Sequence, residues 1–183
     1  MRDSSNPPSN PNSQSSIEMK VLKSFRPEIK ANNQTVHPLY ETGTKYYLDA
    51  RKQPASPTDY SLAMEFMTQA AVLGLAEAQN ALGQMYFDGL PDLEVEPNYI
   101  EAFNWFVKAN GQNNMNAQYM LGLMCQEGLS GLHDDKEAMA ERYFLKASRQ
   151  GCMKAKYKLG EMIHAKTTDL LSKFPLWYDK VSR

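Results

Sequence analysis

The sequence predicts an all-α protein, an α/α superhelical solenoid of about three helical hairpins with atypical capping helices at its ends. Three observations predict it. One apolar pattern occurs three times along the 183 residues, at spacings of 39 and 38, and a fixed period of this length marks a stacked repeat. Inside each copy the apolar residues step by three and four, as on one face of a helix. Between two such stripes stands Gly or Asn, the residues that end helices in the left-handed conformation.

The first stripe is Ala63, Phe66, Met67, Ala70 and Ala71. It returns as Ala102, Trp105, Phe106 and Ala109, and again as Ala140, Tyr143, Phe144 and Ala147. Gly74, Asn113 and Gly151 follow at one register and predict the turn. Asn visits the left-handed region at modest cost, so it can replace Gly there. On this reading Asn113→Gly is neutral or mildly stabilising. The second stripe is Ala78, Leu82 and Tyr86, then Ala117, Leu121 and Cys125, then Ala155, Leu159 and Ile163. Gly83, Gly122 and Gly160 lie inside these second helices. A mid-helix Gly costs about 1 kcal/mol against Ala, so its repetition predicts a close approach by a neighbouring helix.

The pattern Ala-x2-aromatic-x3-Ala, the Gly or Asn turn, and Ala-x3-Leu-Gly resemble the Sel1-like repeat, a tetratricopeptide-type hairpin. The resemblance covers about residues 59–166. It implies an α/α superhelix used for protein–protein contacts in signalling or envelope-associated assemblies, and it brings no catalytic motif.

The rest of the chain divides around those repeats. Residues 1–16 are dominated by Ser, Asn, Pro and Gln with almost no apolar side chain, which predicts a disordered tail. Residues 17–36 read as a linker or a short helix stopped by Pro27. Residues 37–58 read as a degenerate half-repeat, with a second helix over 38–49 because Gly43 precedes Ala63 by 20 residues. Residues 167–183 read as a C-terminal cap in which Leu176, Trp177 and Tyr178 cover the last repeat.

Chemistry is sparse. His37, His133 and His164 are scattered without metal-ligand spacing, so no metal site is expected, and nothing points to another cofactor. There is no Ser-x-x-Lys nucleophile motif and no Gly-rich phosphate loop. Glu94 and Glu96 fall in a loop bounded by Pro91 and Pro97 and read as solvated acids. Cys125 and Cys152 should sit about 16 Å apart along the helix axis at 1.5 Å per helical residue, too far for a disulfide. No run of about 18 apolar residues could span a membrane, and no apolar leader is seen, so a cytoplasmic, non-enzymatic protein is expected, with signal-less secretion left open.

Charge is unevenly distributed. Residues 59–137 hold two basic and twelve acidic side chains, whereas residues 138–183 hold ten basic and four acidic. Lys154, Lys156 and Lys158 do not make a nucleic-acid surface, because only Lys154 and Lys158 share a helix face and the acidic body repels phosphate. A protein partner is expected instead, basic and with apolar anchors. In stacked hairpins the first helices line the concave side. Their side away from the core stripe carries Met64, Ile100, Phe103, Asn104, Val107, Arg142 and Leu145, the candidate partner-binding residues. The function expected is a non-catalytic adaptor that grips a partner segment in that groove; the alternative is a toxin-neutralising immunity protein or secreted effector on the same scaffold.

Overall fold

The computed structural model describes residues 33–52, 54–129 and 135–173. The expected tail at 1–16, most of the linker at 17–36 and the Leu176-Trp177-Tyr178 cap lie outside the described residues. Seven α-helices follow one another: α1 Asn33–Ala50, α2 Pro57–Val72, α3 Ala76–Asp88, α4 Tyr99–Gly111, α5 Met115–Glu127, α6 Lys136–Arg149 and α7 Met153–Lys173. Among the described residues no strand forms; one isolated bridge, Leu90 with Val95, closes the loop between α3 and α4. The all-α repeat architecture is therefore the one that the 3.6-residue periodicity predicts. The half-repeat helix is longer than expected, since α1 runs from Asn33 through Pro38 to Ala50.

Local chemistry starts and stops these helices. Ser56 Oγ accepts the Asp59 N–H at 3.2 Å, and Pro57 stands in the first turn of α2. Asn98 and Asn114 cap α4 and α5 in the same way, each accepting the amide three residues on. The turns are alike in all three repeats. The N–H groups of Leu75, Asn114 and Cys152 reach back to the carbonyls of Ala70, Ala109 and Ala147, at 3.1–3.2 Å. Gly74, Asn113 and Gly151 hold positive φ of 97°, 63° and 98° just before them. This is the pattern by which a left-handed residue returns the last helical carbonyls to use.

The helices stack through one repeated contact. A methyl group added at Gly122 would lie 2.5 Å from Phe144 Cε1, and one at Gly83 would lie 2.8 Å from the Phe106 ring. At Gly43 the neighbour is Met67, 3.1 Å away. Each second helix thus seats a large side chain from the first helix of the next repeat against its bare backbone. Phe106 and Phe144 are fully buried there, as are the alanines around them. Truncating such an aromatic costs about 3–5 kcal/mol, so the seat outweighs the roughly 1 kcal/mol that a helical glycine forfeits. Gly160 has the same register, and a methyl there would meet nothing within 4 Å.

A second repeated device is polar. Gln79 Nε2 donates to the Ala71 carbonyl, and Gln112 Nε2 donates to Gln79 Oε1 and, at 2.8 Å, to the Gly74 carbonyl. One repeat later, Gln118 Nε2 donates to Asn113 Oδ1, while Gln150 Nε2 donates to Gln118 Oε1 and Asn113 Oδ1. The ladder links successive turns across 37 and 38 residues. Gln79 and Gln118 are the buried polar side chains of the described core, and these bonds satisfy them.

Two predictions follow from the stacking. Gly122→Ala should lower stability by up to about 2 kcal/mol, since overpacking costs about 1–3 kcal/mol against a helical gain near 1. Gly160→Ala should be neutral or slightly stabilising; equal effects of the two in urea titrations would contradict the seat. At the turn, the hydrogen bonds that Asn113 accepts revise the expectation of neutrality. Asn113→Gly should cost about 1 kcal/mol by losing them, and Asn113→Val about 1–3 kcal/mol more by forcing a β-branched residue to positive φ. Matching denaturation midpoints for the two variants would contradict this account.

Candidate functional site

The outer register of the first helices splits into two kinds of position. Met64 and Phe103 share one register, turned towards the next first helix. Met64 is half-buried against the first core cluster, and Phe103 packs against both the second and the third. Phe103 is therefore a spacer between repeats, because its ring packs against both clusters. Glu141 stands at the same register in α6 and pairs with Lys166 of α7 at 2.5 Å. Ile100, Asn104, Val107, Arg142 and Leu145 sit at the open positions and are exposed. The structure thus leaves five of the seven candidate residues facing solvent, on α4 and α6.

On α6 these residues border a shallow cavity of about 350 Å³. Arg142 and Leu145 line it with Met139, Tyr143, Lys146 and Arg149. Its charged lining is wholly positive, unlike the acidic repeats that precede it. Lys146 Nζ lies over the Tyr143 ring at 5.7 Å, and Lys108 Nζ of α4 lies over Trp105 at 3.6 Å. Both ammonium groups gain from the ring quadrupole and are held to the outer face. The i, i+4, i+7 spacing of Arg142, Lys146 and Arg149 was the available sequence signal for this patch. The glutamine ladder had its own signal, Gln recurring at 79 and 118 and at 112 and 150.

The remaining candidates for chemistry lie apart. Glu94 and Glu96 are exposed on the loop that the Leu90–Val95 bridge closes, beside a single 3-10 turn at Pro91–Leu93. His37 and His164 are exposed, and His133 lies outside the described residues. Cys125 and Cys152 are buried in the third cluster as thiols. Among the described residues, no group of three or more metal-ligating side chains comes together, and no helix is long and apolar enough to cross a membrane.

Known proteins match this arrangement. The family model described as Sel1 repeat matches residues 39–75, 76–114 and 116–152. Each match runs from a second helix through the next first helix, the pair joined by a large side chain on glycine: Met67 in the first, Phe106 and Phe144 in the others. A Sel1 repeat protein from Oxalobacter formigenes has a similar solved structure, with 27% identity and a TM-score of 0.57, covering 79% of this chain and 98% of that one. Another similar structure is c5321, described as a protective antigen present in uropathogenic Escherichia coli strains and displaying an SLR fold. It is 25% identical with a TM-score of 0.59, covering 82% of this chain and 33% of that one. No curated protein matches the sequence.

Because Phe103 sits between clusters, Phe103→Asp should destabilise the fold by about 2 kcal/mol or more, as burying an unpaired charge does. Urea titration checks this; an unchanged midpoint would return the ring to the solvent-facing surface.

Proposed function

The chain belongs to the Sel1 repeat family, and we propose on that premise that it is a non-catalytic protein–protein interaction scaffold, an adaptor that holds a partner segment along the outer face of α4 and α6. The observation that carries this reading is the exposure of Ile100, Val107 and Leu145 on consecutive first helices beside a cation-lined cavity. Apolar side chains grouped on an otherwise polar surface favour a partner that covers them. The partner segment carries apolar anchors. It is basic where it crosses the acidic repeats and bears a carboxylate where it meets Arg142, Lys146 and Arg149. Complementary charge would speed encounter, and the apolar anchors would set the lifetime of the complex.

A displayed library of random peptides, selected on the intact chain, tests this reading. Enriched peptides should carry apolar anchors and lose about tenfold or more in affinity to Val107→Asp and to Leu145→Asp. Both variants should keep the parent melting midpoint, since their side chains face solvent. Peptides that bind the two variants as tightly as the parent would overturn the assignment.

A further inference from the structure

The α7 face built around Gly160 repeats the face on which α5 seats α6, and within the described residues no helix occupies it. The equivalence holds residue by residue. Met115, Tyr119, Gly122 and Cys125 of α5 correspond to Met153, Tyr157, Gly160 and Ile163 of α7. On α5 the four are covered by the next first helix: Met115, Tyr119 and Cys125 pack in the third cluster, and Phe144 lies on Gly122. On α7, Met153 is 71% exposed, Tyr157 68% and Ile163 63%. The repeat pattern does not supply the missing ring. Phe106 follows Gly83 by 23 residues and Phe144 follows Gly122 by 22, whereas the same counts from Gly160 reach Arg183 and Ser182.

We infer that this face is a docking site for one amphipathic helix of a protein partner, a helix that presents an aromatic ring to Gly160 and a carboxylate to Lys156. The ring follows from the seats at Gly83 and Gly122, where a phenylalanine covers bare backbone; the seat at Gly43 takes a methionine. The carboxylate follows from the ladder. Gln79 and Gln118 each receive a glutamine from the turn after the incoming helix, Gln112 or Gln150. At that register α7 carries Lys156, an ammonium group that donates only. Of the other α7 cations, Lys158 pairs with Glu161 at 2.9 Å and Lys166 with Glu141. Glu or Asp at that place would pair its charge with Lys156, whereas Gln would offer only its neutral amide oxygen. A second copy of the chain is the poorer occupant, because both terminal helices of the described stack, α1 and α7, are glycine-bearing second helices and neither offers a ring-bearing first helix. This site is separate from the α4–α6 face, and its variants leave that face intact.

The probe is a fluorescent, helix-stapled peptide copying residues 99–114 with Gln112→Glu, titrated into the full chain by anisotropy. It should bind saturably. It should lose about tenfold or more in affinity with Phe106→Asp in the peptide, and likewise with Gly160→Leu or Lys156→Glu in the chain. A Gln112→Lys peptide should recover affinity for the Lys156→Glu chain, a rescue that general loss of structure would not give. Gly160→Leu should not lower the melting midpoint, since nothing lies within 4 Å of the added carbon. Four results would each overturn the proposal. They are no saturable binding, binding indifferent to Gly160→Leu, a lowered midpoint for Gly160→Leu (the seat filled by another part of the same chain), and a dimer in sedimentation that Gly160→Leu dissociates.

Discussion

The stack depends on a ring, or in one case a methionine, lying on the bare backbone of a helix. Gly43, Gly83 and Gly122 remove one side chain each, and Met67, Phe106 and Phe144 fill the space. The contact joins the second helix of one repeat to the first helix of the next. Coupling between repeats therefore rests on a pair that no single hairpin contains. This explains why each match to the family model starts at a second helix and ends beyond the following first helix. It also explains the alanines at every flanking position, because larger side chains would hold the helices too far apart for the ring to reach the glycine. A nearest-neighbour solenoid results, in which each repeat is stabilised by the next.

Direction and end are written in the polar residues. The glutamine ladder runs from Gln79 to Gln150, and its registers change identity where it stops. Leu73 stands where Gln112 and Gln150 stand in later repeats, and Lys156 stands where Gln79 and Gln118 stand in earlier ones. Glu141 likewise replaces the apolar spacers Met64 and Phe103 and pairs with Lys166 of α7. The last described repeat thus differs from the others chiefly in charge, while its apolar seat residues persist.

Much of this was legible in the sequence because period and composition report directly on helices. The stripe from Ala63 to Ala71, the turn at Asn113 and the glycine register all followed from spacing alone. What spacing could not distinguish was which of two exposed-looking positions a neighbouring helix covers. Phe103 and Val107 lie on one side of α4 by residue count, yet Phe103 packs against the second and third clusters and Val107 stays exposed. That outcome depends on the offset between adjacent first helices, a tertiary quantity without a local sequence signal. The glutamines were missed for a similar reason. A polar residue in a helical repeat reads as solvated until its partner, 32 or 33 residues away, is brought beside it. The cations of the α6 cavity fall in the segment from residue 138 onward that reads as basic, but segment charge alone does not show that Arg142, Lys146 and Arg149 line one cavity.

The functional reading joins these parts. Open apolar positions on α4 and α6 supply one candidate surface for a partner segment, and the glycine register of α7, which no helix of the described residues occupies, supplies another. Both exist because the stack presents the same geometry repeatedly while varying what covers it. The account's central claim is that ring-on-glycine seats carry the coupling between repeats. Native-state hydrogen exchange on the intact chain measures this most directly. The α4–α5 hairpin, seated through Phe106 on Gly83 at one side and through Gly122 under Phe144 at the other, should show the slowest exchange, and α7 should open at lower free energy along its whole length. Protection of α7 amides equal to that of α5 would contradict the claim, because α7 would then be held as firmly without a ring on Gly160 as α5 is with Phe144 on Gly122.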